Sequence, residues 1–124
     1  AIAVIVTDYL KTTQNVTIKE FLDKTELGKK ICLVMDENNK LVGIISKREI
    51  NRFHKKTFDV IKISDAMYTK FHTASPDEYL YSVIQKMNSH PFDIIPVIDP
   101  KTDSVVGIVT NQSIMNLLVE SKTS

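Results

Sequence analysis

The chain has 124 residues, which suits one compact domain or two small repeats that pair, because a unit of about 60 residues alone buries only about 60% of its unfolded surface. It is 43% hydrophobic and 25% charged with a formal net charge of +1, an ordinary globular composition without the broad basic surface that nucleic acid requires. No apolar stretch approaches the ~20 residues that cross a bilayer, and with a single cysteine, Cys32, no disulfide can form within the chain.

Taken in chain order, Ala1 to Val6 is apolar but too short for a span or a signal segment, and no basic stretch precedes it. The chain does not begin with Met, so a piece of a longer protein, a processed chain or a tagged one is expected. Ile18, Phe21 and Leu22 begin a helical stripe. Ile31-Cys32-Leu33-Val34-Met35 is a buried strand ending at Asp36, and Cys32 within it is expected to be a small core residue. A polar turn, Glu37 to Lys40, leads to a second strand, Leu41-Val42-Gly43-Ile44-Ile45, closing a hairpin. Ser46 follows, and Ile50 and Phe53 lie at helical spacing. His54 to Ile61 is the expected linker.

The pattern then repeats. Ser75, Pro76 and Glu78 predict a capped helix start, with Leu80, Val83, Ile84 and Met87 as its apolar stripe. Ile94 to Ile98 with Asp99 matches the first strand, and Val105-Val106-Gly107-Ile108-Val109-Thr110 matches the second. Ile114, Leu117 and Leu118 give the closing helix its face. Upstream, Val6 to Leu10 aligns with Ile63 to Met67. Thr17 to Asp36 spans 19 positions and Thr73 to Asp99 spans 26, so the first helix of copy one is expected to be about two turns shorter at ~3.6 residues per turn. The resulting fold class is mixed α/β (α+β): β-α-β-β-α, twice, with copy one at 1–57 and copy two at 58–124.

The stretches Ile95-Pro96-Val97-Ile98-Asp99 and Val106-Gly107-Ile108-Val109-Thr110 resemble the core of a CBS domain, as does Ile63 to Met67 ahead of Thr73-Ala74-Ser75-Pro76-Asp77. The whole chain resembles a tandem CBS pair, or Bateman module. Copy one departs from the pattern at Leu33, where the family usually has Pro. The resemblance implies two repeats related by pseudo-twofold symmetry and packed through their sheets. It implies ligand clefts between the repeats that take an adenosine compound (AMP, ADP, ATP or S-adenosylmethionine), a homodimer, and an attached or partner enzyme, channel or transporter whose activity the ligand shifts. It also implies a cytoplasmic setting, or the cytosolic part of a membrane transporter or channel.

The family's ligand signature is Gly-apolar-x-Ser/Thr-x-x-Asp before the last helix, where the hydroxyl bonds a phosphate and the carboxylate takes the ribose diol. A hydroxyl beside free helix amides suits an anion, and a carboxylate one turn on can accept both diol hydrogens. Copy one carries Gly43, Ser46 and Glu49, keeping the charge on a side chain one methylene longer. Copy two carries Gly107, Thr110 and Ser113, without the carboxylate. The resemblance groups Ser46 and Glu49 with His72, Thr73 and Ile94, and Thr110 and Ser113 with Thr17, Lys30 and Ile31. Ser46 and Glu49 also form a plain capping box, a role compatible with ligand contact. His54, His72 and His90 have no metal-ligand spacing, and no catalytic motif is present, so no enzymatic activity, metal or catalytic cofactor is expected. The competing expectation is a ligand-free structural or dimerisation module of a larger protein.

Overall fold

A computed structural model of the chain describes residues 4–123. The elements in order are β1 (Ile5–Val6), β2 (Leu10–Thr13), α1 (Ile18–Lys24), β3 (Cys32–Met35), β4 (Leu41–Ile45), α2 (Lys47–Ile50), α3 (Ile63–Ala66), α4 (Leu80–Asn88), β5 (Ile94–Asp99), β6 (Ser104–Thr110) and α5 (Asn111–Thr123). The mixed α/β class read from the sequence holds, and the residues fall into two compact units. One unit spans residues 10–71. The other joins the N-terminal segment to residues 72 onward.

In the 10–71 unit the strand order is β2-β3-β4, with β2 parallel to β3 and β3 antiparallel to β4. β3 is buried at every position, as its unbroken apolar run requires. Ile18, Phe21, Leu27, Cys32, Val34, Ile45, Ile50, Ile63 and Ala66 form the core. Cys32 is fully buried there, and burial pushes its thiol pKa up to about 12, which makes it an inert core group.

In the second unit the order is β1-β6-β5, all antiparallel, over a core of Val4, Ala74, Val83, Met87, Ile95, Val97, Val109 and Ile114. The strand that would match β2 is reduced to a single parallel bridge between Ala74 and Val97. The β-α-β-β-α order is complete in copy one and weakened at its first strand in copy two.

The repeat is visible in fine geometry. Val34 faces Gly43 and Val97 faces Gly107, and both ladders shift register immediately afterwards. Both turns end on a left-handed residue, Asn39 at φ 61° and Asp103 at φ 57°, a conformation that Asn and Asp tolerate. The matched aspartates anchor those turns. Asp36 accepts from the N–H groups of Asn38 at 2.8 Å and Lys40 at 3.0 Å, and Asp99 accepts from the N–H of Lys101 at 2.9 Å.

Three expectations change. First, Val6 pairs with Ile108 while Tyr68 pairs with Ile44, so Val6 answers to Tyr68 rather than to Ile63. Second, Thr12 lies opposite Val34 and Ala74 opposite Val97, so the counterpart of Thr73 is Lys11, not Thr17. Sheet register fixes the equivalence, and a shared threonine misled the alignment. With that frame α1 has seven residues against nine in α4, a smaller deficit than two turns. The larger truncation is in the closing helix, where α2 has four residues and α5 has 13. Third, Ser75 to Glu78 forms a turn, closed by the Glu78 N–H donating to the Ser75 carbonyl at 3.1 Å, and α4 begins only at Leu80.

A Cβ on Gly107 would stand 2.5 Å from Ile5 Cγ2 and 2.7 Å from the Val6 carbonyl oxygen, whereas the three atoms nearest one on Gly43 all belong to the Met67 side chain, Sδ at 2.5 Å, Cγ at 2.7 Å and Cβ at 2.9 Å. Backbone cannot step aside as a thioether can. Gly107→Ala is therefore expected to cost about 2–3 kcal/mol and Gly43→Ala at least ~1 kcal/mol less, with partial recovery in the Gly43→Ala/Met67→Ala pair. Chemical denaturation of the variants measures both, and equal losses would contradict this reading.

Candidate functional site

β4 passes through Gly43 and delivers its last residues to Ser46, the N-cap of α2. Glu49, one turn on, is only 3% exposed. Its Oε1 accepts from the Ser46 backbone N–H at 2.9 Å and from the Ser46 hydroxyl. Its Oε2 is held by Arg48 Nε at 3.0 Å. Ser46 and Glu49 thus form one polar unit, half-buried at Ser46 and buried at Glu49, with Arg48 as its exposed member. A carboxylate oxygen accepts about two hydrogen bonds, so Oε1 is filled, and room for a diol arises chiefly on Oε2 where Arg48 sits.

In the same unit Cys32 pairs with Ile45, so Ile31 and Ser46 flank one end of the hairpin. Lys30 is exposed beside Ile31, and its N–H donates to the Leu27 carbonyl at 2.8 Å, forming the turn that leads into β3. Thr17 is occupied structurally. Its hydroxyl accepts from the Glu20 N–H at 3.1 Å while Glu20 accepts from the Thr17 N–H at 3.2 Å, a complete capping box on α1.

In the other unit Thr110 and Ser113 repeat the arrangement with hydroxyls alone. The Ser113 N–H donates to Thr110 Oγ1 at 2.9 Å, and the Thr110 N–H donates to Ser113 Oγ at 3.0 Å. The Ser113 hydroxyl donates to the Thr110 carbonyl at 2.9 Å. Ile94 is paired with Thr110 across the β5–β6 ladder. Asn111 follows and grips Asp93, through its N–H to the carbonyl at 3.2 Å and through its amide to Oδ1 at 3.1 Å. Lys86 donates to the Thr73 carbonyl at 2.8 Å and pairs with Glu78 at 2.8 Å, fixing the segment that carries His72 and Thr73. Each unit therefore gathers five of the ten sequence-selected residues: Thr17, Lys30, Ile31, Ser46 and Glu49 in one, and His72, Thr73, Ile94, Thr110 and Ser113 in the other.

Sequence reasoning missed His90, because it weighed that histidine only for metal spacing. The ring is 9% exposed, and its centroid lies 5.4 Å from that of His72 and 5.5 Å from that of Phe92. Neither ring nitrogen reaches a well-formed hydrogen bond. Burial first, and the neighbouring His72 second, hold its pKa below the ordinary 6.5, which the backbone at Ile94 and Phe92 offsets only in part. The only sequence signal was position: Ser89-His90-Pro91 lies in the short loop between α4 and β5. Among the described residues no group of three or more His, Cys, Asp or Glu is arranged to hold a metal, and no helix is long and apolar enough to cross a membrane.

These two hairpins, each feeding a glycine-containing strand into a hydroxyl-capped helix, define a module of two repeats. The chain belongs to the CBS domain family, whose model matches residues 2–56 and again 63–120. Among curated relatives, the L-aspartate semialdehyde sulfurtransferase of Methanocaldococcus jannaschii is 36% identical over 87 residues, covering 68% of this chain and 16% of that protein. The homoserine O-acetyltransferase of Methanohalobium evestigatum is 31% identical over 87 residues, covering 70% of this chain and 17% of that protein. The chain thus spans about a sixth of the length of the curated relatives it matches. Among solved structures, protein MJ1004 of M. jannaschii superposes with TM-score 0.81 at 20% identity, over 96% of this chain and 58% of that one. Listeria monocytogenes CbpB in complex with c-di-AMP gives 0.79 at 20%, over 96% and 94%. The CBS domain pair of protein MJ0100 with 5′-methylthioadenosine and S-adenosyl-L-methionine gives 0.75 at 26%, over 97% and 95%.

Because the folded-state pKa of His90 is depressed, the unfolded chain takes up a proton near pH 6.5 that the folded chain resists. Stability is therefore fully present above that pH and declines as the pH falls below it toward the lower folded value. Melting temperature measured between pH 7.5 and 5 should drop, and His90→Phe should flatten the dependence below pH 6.5. An unchanged slope in that variant would remove His90 as its source.

Proposed function

We propose that this chain is a regulatory module that binds an adenosine compound through the Ser46–Glu49 signature and modulates an attached or partner protein, without catalysing a reaction itself. The observation that carries it is Glu49, a buried carboxylate one turn after the Ser46 hydroxyl, in a chain of the CBS domain family. Structures that share its fold hold c-di-AMP in one case and 5′-methylthioadenosine with S-adenosylmethionine in another. A ribose diol takes the Oε2 side of Glu49, and Arg48, whose side chain is 56% exposed, swings out toward a phosphate or the solvent. Copy two contributes less, since Ser113 carries no charge and its hydroxyl is committed to Thr110.

Among adenosine compounds, S-adenosylmethionine is the first to test. Its amino-acid part has the four-carbon 2-amino-acid skeleton that homoserine and aspartate semialdehyde, named in the curated relatives, also contain. An enzyme acting on such a compound is the effector this reading favours. Ligand binding shifts the effector only by as much as affinity differs between its states.

A second reading, an assembly module without ligand, is favoured by one observation. Met115, Leu118 and Val119 lie on one side of α5 at 55%, 44% and 55% exposure, which suits a homodimer face.

Thermal melting with AMP, ADP, ATP, adenosine and S-adenosylmethionine tests the choice. A ligand at a hundredfold excess over its dissociation constant stabilises by ~2.7 kcal/mol, a rise on the order of 10 °C for a chain of this size. The rise should vanish in Glu49→Ala. Titration calorimetry of Ser113→Asp, which supplies the missing carboxylate, should show a second equivalent bound per chain. No rise with any of the five compounds, in a folded dimer, would favour the assembly reading.

A further inference from the structure

The shortness of α2 has a consequence on the other side of that helix turn. Where α5 continues for 13 residues, α2 stops after four, with Asn51 as its C-cap. The chain that follows folds back as a cap of its own. The Phe53 N–H donates to the Ile50 carbonyl at 3.0 Å, the Lys56 N–H donates to His54 Nδ1 at 3.1 Å, and the Lys19 N–H donates to the Phe58 carbonyl at 2.8 Å. Two open hollows adjoin there and share Asn51, Lys55 and Phe58. One, of about 250 Å³, has an apolar floor of Leu22, Leu27, Ile50 and Phe58 beneath Lys47 and Lys55. The other, of about 450 Å³, adds Arg52, Phe53 and His54. All of these residues belong to the 10–71 unit.

The charge is one-sided. No Asp or Glu lines either hollow. Neither Lys47 nor Lys55 has an acidic partner among the described residues, and the Arg52 guanidinium rests over the Phe53 ring at 5.8 Å. A surface that pairs an apolar floor with uncompensated cations at its rim complements an anion with an apolar body. The 450 Å³ hollow falls within the range of small-molecule sites, about 300–1,000 Å³, and the 250 Å³ one lies just below it.

We propose that this hollow is a second ligand site, for a small organic anion that places an aliphatic or aromatic body on Leu22, Leu27 and Phe58 and its carboxylate or phosphate between Lys47 and Lys55. The site is distinct from the Ser46–Glu49 signature and does not rest on it. The two are linked mechanically, because Lys47 and Asn51 bracket the single helical turn that carries Glu49. An anion bridging Lys47 and Lys55 holds that turn in place, so occupancy of either site changes affinity at the other by one common factor.

Octanoate is the probe, with 1-octanol as the uncharged control and acetate as the control without a body. Titration calorimetry should show octanoate binding at least tenfold tighter than either control. Lys47→Glu/Lys55→Glu should remove that preference while circular dichroism shows the fold unchanged. Glu49→Ala should still bind octanoate even where it has lost every adenosine compound, so the two sites fail independently. Octanoate that does not bind, binds no better than octanol, or binds the double variant equally well would overturn the proposal. So would a dimer, seen by sedimentation, that excludes octanoate and dissociates in the double variant, because the occupant would then be a second copy of the chain.

Discussion

Each hairpin of this protein is closed by a third segment that lies where a side chain would otherwise stand. The missing Cβ of Gly107 admits Ile5 and the Val6 carbonyl, and that of Gly43 admits Met67. With those contacts in place, β1 pairs with β6 and Tyr68 pairs with Ile44 through two hydrogen bonds, at 2.8 and 2.9 Å. The strand end is thereby fixed, and the hydroxyl cap that follows three residues after each glycine inherits its position. A side chain at either glycine would disturb the ladder first and the signature second. A position that contacts no ligand can thus govern whether one binds.

The two copies share this frame and spend it differently. Copy one places a buried carboxylate at Glu49 and then abandons the helix, whereas copy two places a neutral hydroxyl at Ser113 and extends α5. A carboxylate only 3% exposed needs partners, and it has them in Ser46 and Arg48. Ser113 needs only its reciprocal bonds with Thr110. Copy one carries chemistry that a ligand could use at the expense of helix length. Copy two carries a long helix that exposes Met115, Leu118 and Val119 among polar residues. The two copies thus differ in side-chain chemistry at the cap and in helix length while sharing one backbone frame.

Much of this was legible in the residues. Asp36 and Asp99, Gly43 and Gly107, and Ser46 and Thr110 announced the repeat, because turn chemistry, close approach and capping each demand a narrow set of side chains. Less legible was anything set by long-range register. The true counterparts, Lys11 for Thr73 and Tyr68 for Val6, share no chemistry with their partners, since an outer strand is chosen for backbone pairing and not for side-chain identity. The extent of α2 was hidden for a similar reason. Ile50 and Phe53 keep helical spacing, yet the Phe53 N–H bonds the Ile50 carbonyl in a turn, and the same apolar pair serves either conformation.

His90 shows the same limit at a single side chain. Its spacing from the other histidines offered no metal-ligand pattern and hid its actual condition, a buried imidazole beside His72 and Phe92 without well-formed hydrogen bonds. The loop that carries it ends at Asp93, which Asn111 holds at the start of α5. His90 thus sits in the segment that leads into Ile94, and Asn111 ties the end of that segment to the start of α5, beside the cap that Thr110 and Ser113 maintain. A proton on that ring enters a buried site beside His72, so its cost falls on the stability of this unit.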